Sequence, residues 1–215
     1  MTIWHHPTNE LLLAYSAGRL DQGQHVVIAT HLFQCSDCRG WVRNLEGLGG
    51  SVLDAQPPSA MADDALARLE ARLDEPVVAP VVAIRNEVPF DLPGLPPFVL
   101  GLPAAKWKWL APNVQLRRLS LTVPGDTRVF LLRSKPGVKM MPHGHTGFEM
   151  TCVLTGSFSH DGARYGPGDF DFGDSGNCHE IAIGPEGDCI SLVAMQGDLL
   201  LKGLLGRLVQ PFVSL

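Results

Sequence analysis

The sequence has no basic start followed by an apolar run, since Met1-Thr2-Ile3-Trp4-His5-His6 offers neither, so no secretory leader is expected. Nowhere does it approach the ~20 apolar residues needed to span a bilayer. It has no internal repeat and no low-complexity tract, which excludes solenoid arrays. Cysteine is sparse: there are five, and only Cys35 and Cys38 are close together. An odd, scattered set does not make a secreted disulfide framework, and in a reducing compartment a close pair is better explained by metal or redox chemistry. These absences predict a soluble, cytoplasmic protein with no membrane segment.

The 215 residues are 45% hydrophobic and 18% charged, a globular composition long enough for one large domain or two small ones. The net charge of −5 is uneven. Residues 1–84 hold 5 Lys and Arg against 10 Asp and Glu, whereas residues 85–215 hold 12 of each. An acidic N-terminal part repels nucleic acid and favours a basic protein partner.

Residues 8–53 read as helical, because Leu11, Leu12 and Tyr15, then Val26, Val27, Thr30 and His31, recur at three-to-four spacing, with Gly18 between the two runs. Another amphipathic helix follows, with Ser59 as its expected N-cap and Leu66, Leu69 and Leu73 as its stripe. Prolines at 76, 80, 89, 93, 96, 97 and 103 then break helices. Short strands are expected beyond them, over 116–123, 127–134, 148–154, 157–160, 189–195 and 199–204, which suits a sandwich or small barrel. The fold class is therefore α+β. Its expected divisions are a helical domain over 1–84, a Pro-rich linker over 85–97 and a strand-rich domain over 98–215.

Two constellations carry chemistry. His31, Cys35 and Cys38 form H-x3-C-x2-C, positions that share one face if a single helix carries them. His6 could complete a tetrahedron, and His5 competes with it for that place. A Cys2His2 set suits zinc, and four protein ligands leave no open position, so the site would be structural. Further on, Gly137-x5-His143-x-His145-x3-Glu149-x6-Gly156 matches the first cupin motif at every defined position. Gly168-x5-Asp174-x-Gly176-x2-His179 fits the frame of the second, with Asp174 and Ile183 standing in for the usual Pro and Asn. His143 and His145, two apart, point to the same side of an extended strand. With Glu149 and His179 they make a set able to hold Zn, Mn, Fe or Ni. His25 and His160 have no spacing partners and read as surface residues. Cys152 reads as a small core residue, and Cys178 as an exposed thiol open to oxidation.

Together, Thr2-Ile3, His5-His6, Leu11-Leu12, Ala14-Tyr15, Ala17-Gly18, Ala29 to Leu32 and Cys35-x2-Cys38 resemble the ChrR-type zinc-binding anti-sigma factors, which append a C-terminal cupin. The resemblance spans nearly the whole chain. It implies that the helical domain binds and inhibits a sigma factor of the extracytoplasmic-function class as a 1:1 complex, without contacting nucleic acid. It also implies zinc in the cupin and release under stress by singlet oxygen or organic oxidants. Cys189 aligns with a family cysteine, but its expected partner two residues on is Ser191, so a disulfide switch from that pair is not available. Two other readings stay open: a metal-dependent cupin enzyme, such as a dioxygenase or isomerase, with a helical appendage, and a zinc module for a partner other than a sigma factor. The H-x3-C-x2-C domain separates the first of these from an anti-sigma factor, since an independent enzyme would not require it.

Overall fold

The computed structural model describes residues 2–73, 75–76, 95–123, 125–175 and 180–201. The expected linker and the 84/85 boundary fall almost wholly outside them, as do Cys178, His179 and the end of the 199–204 segment.

Four helices open the chain: α1 (Asn9–Ser16), α2 (Gln22–Gln34), α3 (Ser36–Asp54) and α4 (Ala65–Leu73). Thr8 caps α1. Asp21 caps α2 through a reciprocal capping box with Gln24, which satisfies two of the helix's unpaired N–H donors. Where one helical region with two runs was expected over 8–53, the chain breaks twice, around Gly18 and at Cys35. Ser59 does not cap the fourth helix, which begins only at Ala65.

A short helix, α5 (Pro97–Leu100), leads, among the described residues, into eleven strands. These are β1 (Lys108–Ala111), β2 (Val114–Leu119), β3 (Arg128–Ser134), β4 (His143–His145), β5 (Glu149–Thr155), β6 (Phe158–His160), β7 (Ala163–Tyr165), β8 (Phe170–Gly173), β9 (Ala182–Ile183), β10 (Cys189–Met195) and β11 (Leu199–Leu201). They form one antiparallel six-stranded sheet in the order β1-β2-β3-β10-β5-β8, facing smaller sheets β11-β4 and β7-β6-β9. The strands β1, β7 and β9 were not expected from the sequence, each being short.

The alternation within the long strands explains how the two parts of the chain join. Val129 and Leu131 of β3, Met150, Cys152 and Leu154 of β5, and Ile190, Leu192 and Ala194 of β10 share one buried cluster with Val26, Val27 and Ile28 of α2. The intervening residues, among them Phe130, Val153 and Val193, belong to separate clusters on the barrel side. A sheet wet on one face would show polar residues at every second position. Here α2 covers that face, so all of β10 is buried. Gly23 lets the helix come this close: a Cβ there would lie 2.5 Å from Thr127 Cγ2.

Helices and sheet therefore share one core rather than two. Ile28 has no solvent exposure, and truncating such a side chain costs about 2–5 kcal/mol. In the full chain, Ile28→Ala should lower the unfolding midpoint equally whether followed by helical circular dichroism or by tryptophan fluorescence, in a single transition. Two separated transitions, with only the helical one shifted, would contradict the shared core.

Candidate metal centre

The N-terminal constellation is assembled from three segments. Cys35 is both the C-cap of α2 and the N-cap of α3, with φ −97° and ψ 108°. The three ligands thus do not share one helix face as the spacing suggested. His31 lies in the last turn of α2, Cys38 in the first turn of α3, and Cys35 is the joint between them, its Sγ 3.5 Å from the Cys38 amide.

The third segment is an extended arm before α1. Its backbone is tied to the turn between β7 and β8. The buried Asp169 carboxylate accepts the Trp4 amide at 2.7 Å, the His5 amide at 2.9 Å and, through its other oxygen, the Gly166 amide at 2.7 Å. The His5 carbonyl accepts the Phe170 amide at 3.0 Å. The His5 ring stacks on Tyr165 at 4.1 Å, with Nε2 3.1 Å from the Arg164 carbonyl. That use of His5 leaves His6 to face the thiols, its Nδ1 3.5 Å from Cys35 Sγ and 3.3 Å from Cys38 Sγ.

His31 is fully buried. Its Nδ1–H donates to the Gly168 carbonyl at 2.7 Å, which leaves Nε2 as the acceptor nitrogen, buried and with no hydrogen-bond partner. An orphaned buried nitrogen is costly, and a ring N–H held by a carbonyl while the other nitrogen is free is how metal-binding histidines are oriented. Burial pushes the His31 imidazole down to about 4 and the Cys38 thiol up to about 12, the latter helped by the neighbouring Cys35. A neutral imidazole is ready to bind a metal, and a divalent cation would stabilise the thiolates that burial disfavours. The ligand atoms of His6, His31, Cys35 and Cys38 all lie within 4.8 Å of one another. The four can hold a metal ion.

Gly168 brings the cupin turn to this centre. It has φ +89°, a left-handed conformation that favours glycine, and a Cβ on it would come within 2.6 Å of Ile3 Cδ1.

The cupin constellation is more open. His143 and His145 are both buried on β4, with their rings 5.4 Å apart, and Glu149 opens β5. His143 Nδ1–H donates to the Met141 carbonyl at 2.8 Å, and His145 Nε2 lies 3.6 Å from Glu149 Oε2. Burial lowers both imidazoles and raises the Glu149 carboxyl. These three are not drawn together as tightly as the N-terminal four, and His179 lies outside the described residues.

His160, expected at the surface, is instead mostly buried and lies 3.3 Å from the Asp171 carboxylate. Asp171 in turn accepts the Tyr165 hydroxyl, whose pKa burial and that carboxylate push up to about 12. The alternation Asp169-Phe170-Asp171-Phe172 is the one signal that would have found this pair, because it reads as a strand with both carboxylates on one side. Cys152 is a core residue, as expected. Cys189 is buried too, its thiol raised to about 11 and 3.9 Å from Ser191 Oγ.

Compared with known proteins, the chain is 34% identical over 212 residues to the anti-sigma-E factor ChrR of Cereibacter sphaeroides, covering 99% of each chain. The chain belongs to the ChrR family of anti-sigma factors. The ChrR cupin-like domain model matches residues 97–197. The crystal structure of Rhodobacter sphaeroides SigE in complex with the anti-sigma ChrR superposes with a TM-score of 0.74 at 32% identity, over 91% of this chain and 100% of that one. This ChrR-family chain thus has the α+β architecture expected of it, a helical N-terminal region and a C-terminal cupin.

The geometry makes Asp169 a support for a ligand it does not touch. In the full chain, Asp169→Ala should cut metal retention at the N-terminal centre by about 10–100-fold, read by competition with a chromophoric chelator. Unchanged retention would show that the arm's docking does not position His6.

Proposed function

We propose that this chain binds and inhibits a sigma factor of the extracytoplasmic-function class, as a 1:1 complex in the cytoplasm and without contacting nucleic acid. Family membership supports a regulator rather than an enzyme, and a cupin fold by itself implies no catalysis. No helix among the described residues is long and apolar enough to cross a membrane.

The observation that carries the reading is α4. Its stripe of Leu66, Leu69 and Leu73 is exposed, and the helix buries none of its residues. Leu48, Val52 and Leu53 of α3 are exposed as well. A helix apolar along one side, with that side exposed among the described residues, is suited to bury it against a partner. The acidic balance of residues 1–84 favours a partner with basic surfaces, which a protein that contacts DNA presents.

On this reading residues 1–84 are the inhibitory domain, 85–97 the linker and 98–215 the sensing domain. His6, His31, Cys35 and Cys38 hold a structural zinc ion that fixes the junction of α2 and α3. His143, His145, Glu149 and His179 hold a second metal, by resemblance zinc, with Mn, Fe and Ni also suited to the set. That second site acts in stress-induced release.

Co-expression of the full chain with candidate sigma factors and a sigma-dependent reporter tests the proposal. Leu66→Asp with Leu69→Asp should lose sigma retention at least tenfold while keeping the N-terminal metal. His143→Ala with Glu149→Ala should still inhibit the reporter in unstressed cells but blunt its induction. Full retention by the first variant would contradict the assigned surface, and unchanged induction in the second would remove the cupin from sensing.

A further inference from the structure

A cavity of about 340 Å³ opens into the barrel, within the range of small-molecule sites. The interior of a small barrel is usually filled by side chains. Here the wall is apolar, made by the buried Phe130, Ile181 and Val193, and these face away from α2. The exposed Lys139 and Met141 stand at its lip, and His143 and Glu149 also line it. Among the described residues Lys139 forms no ion pair.

The wall chemistry selects the occupant. Apolar walls favour a hydrocarbon chain. The Lys139 ammonium stands at the exposed lip, where it attracts an anion that stays in water. A methylene takes up close to the ~30 Å³ that a water molecule occupies in the liquid, so the space suits a chain of about ten carbons.

We propose that this cavity binds a medium-chain carboxylic acid, with its hydrocarbon chain inside the barrel and its carboxylate at Lys139. On the reading of the cupin as the sensing domain, which is all the effector role rests on, such an acid is an effector. The binding itself does not depend on that reading.

The full chain carrying ¹³C-methyl methionine is titrated with sodium decanoate and followed by NMR. Met140 and Met141 line the cavity, whereas Met61 is exposed in the helical part and serves as the control. The Met140 and Met141 resonances should shift saturably while Met61 stays fixed. Butanoate should bind at least a hundredfold more weakly, since each buried methylene is worth about fourfold. Lys139→Glu, at an exposed position that does not threaten folding, should weaken decanoate roughly tenfold and make decylammonium the better ligand. The proposal is overturned by no shift, by an equal shift at Met61, by an equal response to butanoate, or by indifference to Lys139→Glu. No sigma factor is present in the titration, so a negative result leaves the anti-sigma reading standing, and a chain that fails to retain a sigma factor leaves this proposal standing.

Discussion

The hydrogen bond from His31 Nδ1 to the Gly168 carbonyl, 2.7 Å long and buried, is the constraint on which the metal centre depends. It crosses from α2 to the turn before β8, fixes the tautomer, and turns Nε2 toward the two thiols. Around it the same turn receives the N-terminal arm, through Asp169 and the Phe170 amide, and so delivers His6 from the other side. The centre belongs as much to the cupin as to the helices.

This arrangement changes how two modules of one chain can communicate. A small helical bundle with a core of its own would pass a signal only through whatever connects it to the barrel. Here α2 lies on β5 and β10, and its apolar residues are continuous with theirs. The turn that touches the metal centre runs into β8, whose Asp171 pairs with His160 and lies across from Thr151, two residues beyond Glu149. The path from His143, His145 and Glu149 to the helix junction is therefore short and packed. Packed cores respond to a local change by shifting between discrete arrangements rather than by deforming smoothly.

Much of the chemistry was legible in the sequence because it is written in spacing. H-x3-C-x2-C marked three of the N-terminal four, and the paired histidines with Glu149 marked the start of a cupin motif, whatever the surrounding structure does. What spacing does not carry is context. The helix break at Cys35 was hidden because i, i+4 and i+7 satisfy a helix and a helix-to-helix joint equally well. His6 was the expected fourth ligand with His5 as its competitor, and the Tyr165 ring and the Asp169 carboxylate, more than 150 residues away, are what occupy His5. The long strands are apolar on both faces, but no local pattern says that a helix from the other end of the chain covers one of them. His160 looked solitary for the same reason, since its partner Asp171 sits on another strand.

Hydrogen–deuterium exchange on the full chain, before and after chelation of the N-terminal metal, tests most directly whether the centre is built jointly by helices and cupin. The account predicts that the amides of Trp4, His5 and Phe170 lose protection together with those at the α2–α3 junction, while the central strands β3 and β10 stay protected. Loss confined to the helices, with the arm and the Gly166 to Phe170 turn unchanged, would contradict it.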